Sequence, residues 1–431
     1  MSVTDGEAPA AVPAESEVES PASTAIALNT PREGLPEVVT DNAGVARVAA
    51  AIAAGTGPIA VDTERASGYR YGQSAYLVQL RRTGSGSHLI DPIEVTDFGP
   101  LVAALDGPEW VLHSASQDLP ALRELGLRVR DLFDTELAAR LLGLPRVGLA
   151  ALLETELGFL LAKEHSAVDW STRPLPESWL LYAALDVELL LDLRDVLAEK
   201  LVAAGKYAWA QQEFAAIIDT EPPAPRTDPW RRTSGIHKVR GPRRLAVVRE
   251  LWNVRDELAR DRDIAPGRLL PDSSIVAAAQ ALPTSEEALL STQGFIGRAA
   301  RSSATLWWDA VARALALPDE QCPLPPKGDG PPPPRSWADR YPEAAARWEV
   351  VRPAMLELAE RLSMPVENVL TPDLVRRLAF EPPVELDEGA IREWLRTNGA
   401  REWQVDQATP TLYAALRQAA ETPAATLDAS A

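Results

Sequence analysis

The chain has 431 residues and a formal net charge of −19, with 46% hydrophobic and 24% charged residues, a composition that folds into two to four domains and is not that of a disordered chain. Its one cysteine, Cys322, excludes an internal disulfide framework and a cysteine-based zinc cluster, and points to a reducing, cytoplasmic setting. No apolar run approaches the roughly 18 residues of a membrane span, and the acidic N-terminus (Asp5, Glu7, Glu15) lacks the basic-then-apolar order of a signal peptide, so neither secretion nor membrane insertion is expected.

Residues 1–34, rich in Ala, Pro, Glu and Ser, read as a disordered tail. A first folded block, about 36–220, mixes element types. Ile59–Glu64, Ala75–Leu80, His88–Asp91 and Trp110–His113 have the apolar, β-branched character of short strands, the second and third joined by a turn at Gly84-Ser85-Gly86. Helical spacing follows at 116–126, at 134–143 and in the leucine-rich stretch 176–204. Strands followed by helices predict a mixed sheet with helices on its faces.

Prolines then divide the chain. A linker at 221–226 precedes an all-helical block at 228–317, and a proline-rich linker at 318–335 precedes another at 336–418, with a tail at 419–431. The two helical blocks resemble each other at an offset of 100 residues: Leu258-Ala259 with Leu358-Ala359, Leu270 with Leu370, Pro283 with Pro383. Charge separates them. Residues 229–317 hold 14 bases and nine acids, net +5; residues 336–418 hold ten bases and 14 acids, net −4. A basic segment in an acidic chain points to an anionic partner. Arg226, Arg231, Arg232, Lys238, Arg240, Arg243 and Arg244 crowd its entry and are expected to meet nucleic-acid phosphates, or else to face the acidic first block. The acidic second repeat is expected to be dispensable for RNA binding.

Four carboxylates and a tyrosine carry the chemistry. Asp62 and Glu64 stand two apart at a strand end, so both point to one face. Two carboxylates on one face repel unless a cation lies between them, and a hard divalent ion takes oxygen ligands; a solvated strand end is the plain alternative. Asp118 follows the fourth strand and suits either a site or the first turn of a helix. Tyr182 and Asp186 share one helix face among leucines, where a lone carboxylate is costly. Glu188 and Asp192 read as solvated. His113 reads as packed, Lys163, His165 and Arg173 as candidates for the substrate backbone, Trp307-Trp308 as core, and Cys322 as an idle linker residue.

Together these residues resemble the ribonuclease D branch of the DEDD 3′–5′ exonucleases, in the tyrosine variant: Val61-Asp62-Thr63-Glu64, then Leu112–Leu119 ending in Gln117-Asp118-Leu119, then Tyr182-x-x-x-Asp186. Supporting stretches are Leu89–Pro92, Phe133–Ala138 and Asp169–Leu175. The resemblance implies a ribonuclease-H-like α/β exonuclease domain followed by two small all-α HRDC-like domains, the second degenerate. It implies hydrolysis with two divalent ions, Mg²⁺ or Mn²⁺, one held by Asp62, Glu64 and Asp186 and one by Asp62 and Asp118, with Tyr182 orienting the water. The implied activity is trimming of RNA 3′ ends, with tRNA or other structured precursors as substrates; a DNA 3′–5′ exonuclease and an inactive nucleic-acid-binding protein are the alternatives. Arg65 departs from the family, many of whose members carry an aromatic residue there to seat the terminal nucleotide.

Overall fold

A computed structural model describes residues 25–421 apart from 162–167, 221–223, 225, 296 and 326–329. Among the described residues the first block has eight strands. β1 (Ile26–Leu28) pairs only with β8 (Phe159–Leu161), in parallel. The other six form one mixed sheet in the order β2 (Val38–Val39), β5 (Gly86–Ile90), β4 (Ala75–Thr83), β3 (Thr56–Arg65), β6 (Trp110–Leu112), β7 (Leu132–Asp134). The β3–β4–β5 meander is antiparallel, and β6 and β7 run parallel to β3. Gly84 and Gly86 take φ of +82° and +79° around Ser85, a conformation that glycine enters without steric cost, and so close the β4–β5 turn. Helices cover the faces, so Ile59, Ala60 and Val61 are all buried and this part of β3 shows no alternation.

The leucine-rich stretch is two helices, Glu177–Glu188 and Leu190–Ala203, broken at Leu189. Glu188 is not solvated as its sequence suggested. It is 2% exposed and is held by Arg81 (3.1 Å) and Arg32 (3.8 Å), because the arginines on β4 and on the N-terminal segment supply the charge that its burial demands. Asp192 is exposed and pairs with Arg32 at 2.9 Å.

The two helical blocks repeat their elements at the expected offset: Pro242–Arg262 with Pro342–Arg361, Pro266–Leu269 with Val366–Val369, and Asp272–Ala281 with Pro372–Phe380. Their attachments differ. The first has a core of its own, built on Trp230, Leu251, Phe295 and Trp307. Cys322 belongs to that core, 6% exposed, and is not an idle linker residue. This block touches the first through the β3–β4 loop: Ala265 N donates to Tyr69 O (2.9 Å), Arg268 Nε donates to Gly68 O (2.7 Å), and the Arg268 guanidinium lies 3.8 Å from the centre of the Tyr69 ring.

The second helical block shares one continuous core with the first block. Trp209 stacks on Trp403 at 4.9 Å and 13°. Trp403 Nε1 donates to Glu213 (2.9 Å), which also pairs with Arg401 (3.1 Å). Lys206, 7% exposed, donates to the carbonyls of Leu141 and Leu362, both at 2.6 Å, so one ammonium closes two helix C-termini, one from each block. Gly143 is tied to the same contact, since a Cβ there would stand 2.2 Å from Ser363 O. The acidic repeat is therefore a structural part of the sheet domain.

Candidate active site

The C-terminal end of β3, the turn after β6 and the helix Glu177–Glu188 meet at one cleft of about 390 Å³. Asp62, Glu64 and Asp186 each bring a carboxylate oxygen within 4.8 Å of the other two. Asp118 lines the same cleft and accepts a hydrogen bond from Thr63 Oγ1 at 2.8 Å. Asp118 is 5% and Glu64 7% exposed, while Asp62 and Asp186 are half-buried.

The electrostatics follow from that crowding. Burial, and then the charges of Asp118 and Asp186, hold Asp62 well above the usual carboxylate range. Glu64 is pushed up to about 11, first by burial and then by Asp62 and Asp186. Asp118 rises to about 6 by burial, against the Thr63 hydrogen bond and Arg65. Burial and the same carboxylates raise the Tyr182 phenol, so its hydroxyl keeps its proton and donates to Asp186. Trp170, fully buried, packs on Tyr182 (6.4 Å) and Trp179 (5.5 Å) and limits where that ring can lie.

The donor set fits a divalent cation. It offers only carboxylate oxygens, crowded together in a partly buried cleft, with the Arg65 guanidinium 3.9 Å from Asp118 as the nearby positive charge. Arg65 also donates to Gln117 O at 2.7 Å, so in place of a stacking aromatic ring it ties β3 to the Asp118 turn.

The supporting stretch Phe133–Ala138 and the second motif build this turn. Asp134 caps the helix Thr135–Leu141 by accepting from Glu136 N (2.9 Å) and Leu137 N (3.1 Å), and it also accepts from Ser114 N (3.2 Å) and Ala115 N (2.8 Å). Four backbone donors on one buried carboxylate offset the strain of Ser114, which sits at φ +66°. The Phe133-Asp134-Thr135-Glu136 sequence carried the cap signal, an acid before a helix with another acid in its first turn.

The basic residues expected to meet RNA divide. Lys163 and His165 lie outside the described residues. Three others are spent inside the protein, contrary to that expectation. Arg173 places all five N–H donors, on Asp91 and on the carbonyls of Tyr76, Trp170 and Thr172. Arg231 lies over the Trp230 ring (4.3 Å) and pairs with Asp228 (2.7 Å). Arg243 donates to Ala314 O (3.0 Å) and Leu317 O at the end of the helix Ala304–Ala316, and pairs with Asp319. Each is a neighbour-bonded guanidinium whose partners come from distant or turn residues. Arg226, Arg232, Lys238, Arg240 and Arg244 are exposed. Replacing Lys238, Arg240 and Arg244 together with alanine should flatten the log–log salt slope of RNA binding by about two to three units; an unchanged slope in a binding titration would clear this edge of any RNA contact. Trp307 is fully buried with its indole N–H on Ala300 O, so it is a core residue.

Comparison with known proteins agrees with this geometry. The 3′–5′ exonuclease family matches residues 36–202, the HRDC domain residues 244–311, and the 3′ to 5′ exonuclease C-terminal domain residues 330–416. Ribonuclease D of Gluconacetobacter diazotrophicus is 33% identical over 355 residues, covering 79% of this chain and 84% of its own. A crystal structure of a Bifidobacterium adolescentis protein superposes with a TM-score of 0.82 at 38% identity, covering 91% of this chain and all of that one. That of Escherichia coli RNase D, described as an exoribonuclease involved in structured RNA processing, gives 0.66 at 26% identity, covering 89% and 99%. No helix among the described residues is long and apolar enough to cross a membrane. With the length of the match and the cleft both in place, the chain belongs to the ribonuclease D family and is a 3′–5′ exoribonuclease.

Proposed function

We propose that this exoribonuclease trims the 3′ ends of structured RNA precursors such as tRNA, using two divalent ions, Mg²⁺ or Mn²⁺, at the four-carboxylate cleft. The observation that carries the site is the convergence of Asp62, Glu64 and Asp186 within 4.8 Å at a crowded, largely desolvated floor that is unfavourable without a cation. Asp62, Glu64 and Asp186 would hold one ion, and Asp62 with Asp118 the other. Bound there, such ions stabilise the charge that develops on the phosphate and lower the pKa of a water molecule. Thr63 fixes the rotamer of Asp118, and Arg65 fixes the distance between β3 and the Asp118 turn. Tyr182 cannot be the base, since its phenol holds its proton; it is a donor that orients. The exposed bases of the first helical block, on the same chain, suit the backbone of a longer RNA, and the described role of the E. coli relative supports structured substrates.

Matched RNA and DNA oligonucleotides labelled at the 5′ end, with Mg²⁺, Mn²⁺ or chelator, test the reading: stepwise loss of 3′ nucleotides from RNA, stopped by chelator, is expected. Tyr182→Phe should slow that cleavage by about 10- to 1,000-fold at unchanged affinity, as expected for loss of one positioned hydrogen bond. Unchanged turnover would leave Tyr182 a packing residue.

A further inference from the structure

His113 lines the same cleft as the carboxylates, beside the apolar side chains Leu149, Leu161 and Leu190. Its neighbours determine which ring nitrogen carries the proton. Thr135 Oγ1 has a single hydrogen, which it donates to Leu112 O at 3.2 Å. Toward His113 it therefore accepts, and the donor is Nδ1–H at 2.9 Å. Burial holds the ring neutral, lowering its pKa to about 4. A neutral imidazole protonated at Nδ1 has a bare lone pair at Nε2. Among the described residues Nε2 has no hydrogen-bond partner, and His113 lines the open cleft. The cleft thus contains a neutral imidazole acceptor besides its carboxylates.

The RNA group that suits this acceptor follows from donor and acceptor chemistry. Phosphate oxygens only accept, so a bare imidazole nitrogen gains nothing from them. The sugar hydroxyls donate. With the scissile phosphate at the carboxylates, the nucleotide released lies in the same cleft, and the leucine wall suits the apolar faces of its nucleoside. We propose that His113 Nε2 accepts a hydrogen bond from a sugar hydroxyl of the 3′-terminal nucleoside, making His113 a specificity residue that reads the end of the chain as ribose. This inference rests on the cleft being the active site.

Its test is a ratio, which separates it from that reading. Chelator-sensitive trimming is measured on three otherwise identical RNAs whose last nucleotide is ribose, 2′-deoxy or 3′-deoxy, for the wild type and for His113→Phe. Removing the hydroxyl that His113 meets should lower kcat/KM of the wild type by about 3- to 10-fold, the worth of one neutral hydrogen bond. The same removal should cost the variant less than about twofold on the same scale. The 2′ and 3′ arms identify which hydroxyl is read. His113→Gln, which keeps an acceptor oxygen, should restore part of the discrimination. Ratios that are equal in wild type and His113→Phe for both hydroxyls would overturn the proposal, as would a dependence that follows the terminal base. A second readout needs no activity. The chain has four histidines, so 15N labelling of histidine in the full protein resolves each ring. The signal absent from His113→Phe should show a protonated Nδ1 and a bare Nε2. A protonated Nε2 there would end the proposal even if the variant folds poorly.

Discussion

Asp186→Ala should abolish RNA trimming, by about a thousandfold or more, and should at the same time stabilise the chelator-treated protein. The first effect follows from losing a carboxylate that would hold an ion supplying several kcal/mol of transition-state stabilisation. The second follows from the crowding: Asp186 is among the charges that raise both Asp62 and Glu64. The sign of the pH dependence is set by the same groups. Their ordinary values are 3.8 and 4.5, and both are raised on folding, so above those values the folded state retains protons that the unfolded chain has released. Stability of the chelator-treated protein is therefore greatest at acid pH and falls as pH rises from about 5 to 8. A divalent ion needs the carboxylates ionised, so the rise in Tm on adding Mg²⁺ or Mn²⁺ should grow across that window and shrink in Asp186→Ala. Thermal melts in buffers from pH 5 to 8, with ion or chelator, measure all of this. Persistent trimming by the variant, or an ion effect that does not grow with pH, would mean that the ions bind elsewhere.

Removing residues 336–431 should unfold the sheet domain, although the removed segment is acidic and far along the chain from the cleft. The cut would strip the partners from one side of a shared core, unstack Trp209, and leave Lys206 and Glu213 without the Leu362 carbonyl and Arg401. Each large apolar side chain returned to water costs about 1.5–3 kcal/mol, and a whole domain has only about 5–15 kcal/mol to lose. The expected result is loss of the cooperative melt and of trimming together. Residues 228–322, which have a separate core, should by contrast melt cooperatively when expressed alone. A truncated chain that trims RNA and melts near the full-length Tm would refute the shared-core assignment.

Local signals in the sequence pointed to the cleft and to most of the sheet. Asp62 and Glu64 two apart on a strand, and Tyr182 and Asp186 four apart on a helix, are short-range geometry that a linear reading carries. The meander β3–β4–β5 has a turn with two glycines. Strands β7, Leu132–Asp134, and β2, Val38–Val39, are two or three residues long and parallel, and show neither alternation nor a hairpin turn. Glu188 looked solvated because its partners Arg81 and Arg32 stand more than 100 residues away. Arg173 and Arg243 looked free for a similar reason: Asp91 and Tyr76 stand about 80 to 100 residues from Arg173, and Ala314, Leu317 and Asp319 about 70 to 80 from Arg243. The prolines mark three blocks, of which the helical repeat around Trp230 has a core of its own, but no local signal shows that the last block completes the first, since Trp403 meets Trp209 across nearly 200 residues of chain.

That closure has a consequence in time. Ribosomes extend a chain at about 5–20 residues per second, so about 200 residues must still be made, over about 10–40 seconds, between the end of the sheet domain and the last helix of its core, Glu402–Glu421. Until then the carboxylates of the cleft lack the support that holds their domain together. The nuclease is born beside ribosomal RNA, and the order of its segments places the last helix of its core about 200 residues of synthesis behind its cleft.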